Sequence, residues 1–470
     1  MPRIAASRVR ALNPCDTVPG DYVLYWMQQS QRAVGNHALE YAVDLANELG
    51  RPLVVGFGLM DDYPEANLRH YVFMLEGLRE TGQTLAKRGI AFVLRHGPPA
   101  RVALELARRA SAVVCDRGYL RHQRAWRREV AAEATCRVVQ VESDVIVPVE
   151  AASQKAEFAA RTLRPRIQRQ LAEYLQALIP AKVRHRADRL KLPPSLELRD
   201  PEALARTLKL EQSISPVTRF FHGGTGAAEK LFRSFLAERL ATYTEHRNQP
   251  QTNDVSHMSK YLHFGQISPT WLALEARKHS AEAGDNVATF IEELLVRREL
   301  SMNFVYFRDD YDCYESLPAW ARQTLSEHRA DPRPYLYTRA QLEAAETHDP
   351  YWNAAMREML HTGYMHNYMR MYWGKKILEW SATPEEGFAA ALAINNRYFL
   401  DGRDANSFAN IAWVFGQHDR PWGERPIFGK VRYMNARGLE RKCDIKAYVS
   451  KVERLMGDFH GGNYQRNKLR

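Results

Sequence analysis

Cysteine is scarce in this chain: five in 470 residues (Cys15, Cys115, Cys136, Cys313 and Cys443), scattered and odd in number. That argues against a disulfide framework and suits a reducing compartment. No CxxC pair occurs and only two cysteines lie in the second half. A zinc site or four-cysteine iron–sulfur cluster is therefore disfavoured, and no metal is expected. Long apolar runs are also missing. The longest, such as residues 52–60 (PLVVGFGLM), fall far short of a membrane span. The first twenty residues carry Arg3, Arg8 and Arg10 without an apolar core. They do not read as a secretory leader, and a flexible basic arm is expected over 1–20. Neither GxGxxG nor GxxxxGKS/T follows a strand-like run, which disfavours the usual dinucleotide and Walker-type phosphate sites. Repeats and low-complexity runs are absent.

What is present begins with size. A chain of 470 residues calls for two or three domains. Lys plus Arg exceeds Asp plus Glu by 66 to 55, a net charge of +11, which is compatible with a polyanionic partner without requiring one. Over residues 21–150, short β-rich runs (22–27, 53–57, 91–95, 112–115 and 138–141) alternate with amphipathic stretches such as 36–49 and 66–88. That pattern predicts an α/β domain with a doubly wound parallel sheet. Residues 151–226, with Pro165, Pro180, Pro193, Pro194, Pro201 and Pro216, read as an interdomain connector. Its Gly223-Gly224-Thr225-Gly226 admits two readings, a flexible hinge or a phosphate cradle. From 227 to 470 the period is helical, as in 228–243, 269–279, 286–307, 350–360, 364–380 and 383–395, predicting an all-α domain.

Three segments concentrate chemistry. In residues 364–380 (YMHNYMRMYWGKKILEW), helical spacing puts Asn367, Arg370, Met371 and Gly374 on one face. Such a stripe suits a planar polar ligand lying close to the backbone; a solvated face is the equal alternative. Trp373 and Trp380, seven apart, are aligned, and core packing alone accounts for that. In residues 286–307, Glu293 and Arg297 stand four apart and face the same way on a mostly apolar helix. They form either a surface ion pair or, if deeply packed, a pair needing an external polar partner. Residues 395–433 gather Asp401, Arg403, Asp404, Asn406, Trp413, His418, Asp419 and Trp422, followed by Arg420, Arg425, Lys430 and Arg432. Aromatics beside cations are what stacking on unpaired bases and neutralising phosphates require. The alternative is a long solvated loop, against which the tryptophans count.

Several longer runs carry a resemblance. Residues 364–371 (YMHNYMRM) resemble the flavin-contacting helix of the photolyase/cryptochrome superfamily, and residues 256–268 (SHMSKYLHFGQIS) its FAD diphosphate loop. Residues 23–28 (VLYWMQ), 292–299 (EELLVRRE), 347–353 (THDPYWN), 400–404 (LDGRD) and 418–425 (HDRPWGER) are similar to the class II cyclobutane pyrimidine dimer photolyases in particular. The likeness runs from about 21 to beyond 448.

The resemblance implies a light-driven lyase that repairs cyclobutane pyrimidine dimers in ultraviolet-damaged DNA by electron transfer from FAD held as FADH−. It implies an antenna-type domain over 21–150 and an FAD- and DNA-binding domain over 227–470. Tyr243, Ser256, Met258, Ser259 and Arg297 would hold the FAD phosphates and sugar, and Asn367 would sit beside the flavin. Arg370 and Asp401 would pair over the isoalloxazine, and Asn395 would face its N5. Glu293 would hydrogen-bond the damaged bases. Arg247, Asn248 and Met371 match lesion-contacting positions, and Asp419 is expected among the DNA- and lesion-binding residues. Trp413 and Trp422 would line the pocket for the flipped dimer, and Arg432 would enter the gap left in the duplex. Trp373, Trp352 and Trp380, with Tyr337, would relay electrons from the surface. Relatives often carry an antenna pigment, whose presence and identity residues 21–150 do not specify.

A monomer is expected, without membrane or metal, in the cytoplasm beside the DNA or in the nucleus of a eukaryotic cell. Departures from the family pattern are Ser259-Lys260 for Ser-Pro, Ala405-Asn406-Ser407 for Pro-Asn-Gly, and a shortened Gly416-Gln417 before His418. The shortening leaves the aim of Trp413 open. The alternatives are a cryptochrome-like photoreceptor, a (6-4) photolyase and a light-independent DNA-binding flavoprotein. Retention of Glu293, Asn248, Met371, Trp413 and Trp422 favours dimer repair.

Overall fold

The computed structural model describes residues 3–466. Two compact units divide the chain: one holds the residues up to Leu236 with Ser256–Asp309, the other Ala237–Val255 with the residues from Asp310 onward. Residues 256–309, grouped by sequence with the helical region, thus share a unit with the sheet.

In the first unit, strands β1 (Val9–Ala11), β2 (Tyr22–Trp26), β3 (Leu53–Leu59), β4 (Ala91–His96), β5 (Ala110–Asp116) and β6 (Arg137–Val141) form one sheet in the order β1-β6-β5-β2-β3-β4. All neighbours are parallel except β1, which runs antiparallel to β6 with Val9 opposite Val141. Helices α1 (His37–Glu48), α2 (Leu68–Lys87), α3 (Pro99–Ala107) and α4 (Arg121–Glu133) connect the parallel strands. β2, β3 and β5 are buried at every position, because helices cover both faces. Val23, Tyr25 and Val55 pack with Leu39, Leu75 and Leu78 on one side; Leu24, Trp26 and Val54 pack with Leu106 and Val130 on the other. A Cβ on Gly58 would come within 2.6 Å of Pro99 Cα, so only glycine admits α3 this close to β3.

Strand order reverses between β2 and β5, where doubly wound sheets usually bind ligands. Here the buried Asp116 carboxylate occupies that position, accepting from Gln28 N (3.0 Å), Ser30 N (2.6 Å) and the Tyr25 hydroxyl (3.2 Å). These amides are taken by the protein's own carboxylate, in keeping with the missing glycine fingerprint.

Three expectations are corrected. Residues 3–20 are not a loose arm: Val9–Ala11 is a sheet strand, and buried Arg8 donates to the carbonyls of Glu142 (3.1 Å), Val145 (3.1 Å) and Ile146. Its charge is absorbed by carbonyls, which residue counting cannot reveal. The glycine loop is neither hinge nor phosphate cradle, because its amides are taken. Gly223 N and Gly226 N donate to Glu76 (2.7 Å) and Glu80 (2.8 Å), and Gly224 N to Gln266 (2.8 Å).

Third, Glu293 and Arg297 do not pair face to face. Residues Glu292–Arg297 wind as a π-helix between the α-helices Ser280–Ile291 and Arg298–Phe307. A π turn aligns residues five apart rather than four. Arg297 accordingly lies against Glu292 (3.5 Å), which also takes a two-pronged contact from Arg164 (3.0 and 2.7 Å).

The second unit is helical, built chiefly on Pro350–Thr362, Asn367–Trp380, Pro384–Tyr398, Ala405–Val414 and Ile445–Arg466. Asp349 starts the first of these, accepting from Tyr351 N (2.9 Å) and Trp352 N (3.1 Å). Gly363, left-handed at φ +67°, ends it. Among the described residues, no helix is long and apolar enough to cross a membrane, and no three His, Cys, Asp or Glu side chains gather to hold a metal ion.

Candidate active site

The helix Asn367–Trp380 is buried on most sides, leaving Asn367 exposed and Arg370 and Met371 half-buried. Its first turn is capped by His366, whose ring accepts from Tyr368 N (3.2 Å). Burial, with Lys451 and Arg370 nearby, holds His366 down at about 3, so the ring stays neutral and able to accept. The open stripe is thus Asn367, Arg370 and Met371. Gly374 does not belong to it: a Cβ there would meet Val414 Cγ2 at 2.7 Å, so this glycine serves the close approach of the helix Ala405–Val414.

Arg370 is fixed from three directions. Its two terminal nitrogens bond the Asp401 carboxylate (3.0 and 3.1 Å), its Nε donates to Met365 O (3.1 Å), and its Cζ lies 3.8 Å from the Phe399 ring centroid. A two-pronged guanidinium–carboxylate pair against an aromatic face has one low-energy orientation. Asp401 is held in turn by its backbone: its carbonyl accepts from Ser407 Oγ (3.0 Å), and Gly402 lies so close to Asn395 and Asn396 that a Cβ would clash with their carbonyls (2.8 and 2.9 Å). Arg403, left-handed at φ +66°, donates to Asn396 O (2.7 Å) and to the Asn396 side chain. Asn395 is buried, its amide donating to Asn396 Oδ1 (3.1 Å). Arg370, Asp401 and Asn395 are therefore gathered around one rigid turn.

A buried aromatic file starts at the same place. Phe399, beneath Arg370, lies edge-on to Trp373 (6.3 Å). Trp352 donates from its indole to Trp373 O (3.0 Å) and meets Trp380 edge-on at 5.7 Å. Trp380 touches Tyr337 (5.4 Å) and His348 (5.2 Å). All three tryptophans are at most 2% exposed. Trp373 and Trp380 share a helix, and Trp352 on another helix connects them.

A second aromatic group surrounds Arg432, whose guanidinium carbon lies 5.8 Å from Trp413 and 4.8 Å from Trp422. Trp422, 39% exposed, also has Arg420 over its ring (4.8 Å) and donates to the Asp419 carboxylate (3.3 Å). Tyr243 is buried, with Arg247 Cζ 5.8 Å from its ring; Asn248 is exposed. Ser256, Met258, Ser259, Glu293 and Arg297 belong to the first unit, every other proposed site residue to the second. Met258 is buried and Ser259 opens the short helix Ser259–His263. In this loop Lys260 is buried with its Nζ on His257 O (3.1 Å) and over the Phe221 ring (3.8 Å).

Comparison with known proteins settles the lineage. The DNA photolyase family model matches residues 23–184. A deoxyribodipyrimidine photo-lyase of Methanothermobacter thermautotrophicus is 50% identical over 457 residues, covering 97% of this chain and all of that one. The chain belongs to the DNA photolyase family. Another family member, the deoxyribodipyrimidine photo-lyase of Oryza sativa subsp. japonica, is 41% identical over 96% of this chain and 91% of its own length. Among solved structures, a class III photolyase from Agrobacterium tumefaciens superimposes with a TM-score of 0.69 at 18% identity, covering 93% of this chain and 87% of that one. The fold is that of the photolyases.

Two residues of this photolyase-family chain escaped the sequence. Phe399 supports Arg370, and the only signal was an aromatic two places before Asp401. Lys375 is fully buried, donates to Val414 O, and lies 5.1 Å from the Trp413 ring. Burial pulls its ammonium down to about 7, partly opposed by Asp419. Its signal was a Lys-Lys pair set among Trp373, Ile377 and Leu378, where helical period leaves one lysine no exposed face.

Proposed function

We propose that this chain is a class II deoxyribodipyrimidine photolyase, a light-driven carbon–carbon lyase that restores cyclobutane pyrimidine dimers in DNA to intact bases. The observation that carries this reading is the full-length match, at 50% identity, to a deoxyribodipyrimidine photo-lyase. A flavin suits the residues present. The stripe Asn367–Arg370–Met371 is open, its guanidinium is locked by Asp401 over Phe399, and a buried amide stands on the adjoining turn at Asn395. These are amide and guanidinium donors with one fixed orientation, the set that a planar ring edged with carbonyls and ring nitrogens calls for. When bound, reduced FAD absorbs blue or near-ultraviolet light and supplies one electron, which returns once the cyclobutane ring has opened.

The protein's contribution is position and field. Arg370, with Asp401 balancing its charge, would orient the isoalloxazine, and Asn395 would hold the proton state at N5. Tyr243, Ser256, Met258, Ser259 and Arg297 would bind the phosphates and sugar. Glu293 would hydrogen-bond the dimer and Met371 would contact it. Trp413 and Trp422 would form the walls that receive the extruded bases, Asp419 holding the Trp422 indole and Arg432 filling the gap left in the duplex. Extrusion is easiest at a damaged, poorly stacked step. Arg247 and Asn248 would bind the lesion strand. Trp373, Trp352 and Trp380 would relay an electron inward to restore the reduced cofactor. We assign residues 21–150 to antenna-type and 227–470 to FAD- and DNA-binding roles, the enzyme acting as a monomer wherever the cell keeps its DNA.

The test is direct. The purified protein is reduced, mixed with a thymine-dimer oligonucleotide, and kept in light or darkness. Conversion to intact thymines in light alone is expected. Binding without light-dependent conversion would replace repair by a photoreceptor or a light-independent DNA-binding role.

A further inference from the structure

The aromatic file ends at Tyr337, which the resemblance places in the relay, and beside it stands His348, which none of the roles above uses. Tyr337 Oη lies 2.7 Å from His348 Nδ1 and accepts from His348 N (2.9 Å). With the imidazole protonated on Nε2, the Tyr337 hydroxyl accepts the backbone N–H and donates its own hydrogen to Nδ1. The imidazole is stacked on Tyr335 (3.6 Å, 17°), which is 47% exposed, and His348 itself faces solvent. Both Tyr337 and His348 touch Trp380, the last tryptophan.

We infer that His348 is the proton acceptor that lets Tyr337 serve as the terminal electron donor of the chain. This rests on reading Trp373, Trp352 and Trp380 as an electron relay. The oxidant is the one-electron-oxidised indole of Trp380, formed when light-excited oxidised flavin draws an electron through Trp373. Tyr337 gives one electron to that indole cation. In the same event the phenolic O–H breaks and a new N–H forms on His348 Nδ1. The products are a neutral indole, a neutral tyrosyl radical and an imidazolium, which then releases its Nε2 proton to solvent. Without an acceptor at hydrogen-bond distance, oxidation would have to produce a strongly acidic phenol cation, a far less accessible state.

The surrounding charges favour the same direction. Lys376 Nζ, paired with Glu379, lies 5.6 Å from the Trp380 ring, and Arg333 donates to Leu378 O and Glu379 O on that helix. Their charge disfavours a cation resting on Trp380. Asp349 is engaged by Tyr351 N, Trp352 N and the Tyr372 hydroxyl, which leaves His348 as the base on Tyr337. The Tyr335 face stabilises the imidazolium once formed.

The experiment is time-resolved absorption and radical spectroscopy after a light flash, on protein carrying oxidised FAD, in H₂O and D₂O. Wild type should show the indole cation decaying into a neutral tyrosyl radical, more slowly in D₂O. His348→Phe and His348→Ala should lose the tyrosyl signal and prolong the indole cation on the order of a hundredfold. Added imidazole should restore the fast phase in His348→Ala alone. Bound FAD and the thermal midpoint serve as folding controls. An unchanged tyrosyl yield and rate in both His348 variants overturns the inference. If wild type forms no indole cation, or Trp373→Phe still forms it, the relay itself is wrong, an outcome distinct from failure at His348.

Discussion

Two regular ion pairs, one in each unit, treat their charge in opposite ways. In the first, charges are sealed. Arg298 donates to Asp144 twice (2.7 and 2.9 Å), Arg117 bridges Glu142 and Glu150, and Tyr119 and Val149 N complete Glu142. Arg298, Asp144, Arg117 and Glu142 are all at most 5% exposed. In the second, Arg370 and Asp401 form an equally regular pair, but Arg370 keeps 23% of its side chain accessible, on the stripe shared with Asn367 and Met371. The lesson is that geometry alone does not separate a structural ion pair from a functional one. What separates them is whether one flank is left open.

The largest test is on the sealed side. Asp144→Ala would leave the buried Arg298 guanidinium without the carboxylate that balances its charge, and a loss of about 3–5 kcal/mol in folding stability is expected by denaturant titration. A loss within experimental error would show that water reaches that pair. On the open side, Asp401→Ala should cost less stability but release the guanidinium. Retention of FAD through gel filtration should weaken by about a hundredfold, since truncating one partner of such a pair costs about 2–5 kcal/mol. If stability fell as far as for Asp144→Ala with FAD affinity unchanged, the distinction between the two pairs would fail.

A third test uses pH. Lys375 titrates near 7 in the folded chain against an ordinary 10.5, because burial penalises its charge. Between those values the unfolded chain binds more protons, so stability rises with pH there, by up to about 1.4 kcal/mol per unit. Lys375→Met should flatten that rise in urea midpoints taken from pH 7 to 10. Glu299, sealed in the first unit with Ile146 N (2.6 Å) and Val147 N (3.3 Å), is pushed up by burial to about 7. Its sign is opposite: below 7 the folded form holds the extra proton, so stability falls as pH rises from about 4.5 to 7, and Glu299→Gln should remove that fall.

The smallest effect is expected at Arg432. Arg432→Ala should reduce the dependence of DNA affinity on salt by about one unit of slope, leaving FAD content and folding unchanged. An unaltered slope would show that Arg432 brings no charge into the DNA.

The parallel sheet was legible because β2 and β3 are apolar along their length, the other parallel strands have apolar centres, and the intervening helices are amphipathic: the five expected strands stand within two residues of their places. β1 was missed because three residues, two of them polar or exposed, carry no period. The stripe on the helix Asn367–Trp380 followed from spacing, apart from Gly374, which spacing cannot assign to a neighbouring helix. Trp352 as the link between Trp373 and Trp380 came from resemblance, since only tertiary packing brings another helix alongside. The pairing of Glu292 with Arg297 was invisible because every periodic reading assumed a turn of 3.6 residues.

That wider turn has a consequence for insertions and deletions. A helix hydrogen-bonded to the fifth residue holds one residue more than its α-helical neighbours would fit in the same length. Removing Val296 should let the segment close into ordinary winding, with Glu292 and Arg297, then four apart, still on one face while the flanking helices keep their course. Elsewhere in a helix the same single-codon deletion would throw every downstream side chain out of phase; here the bulge would absorb it, and the local pairing would survive as an ordinary four-residue spacing.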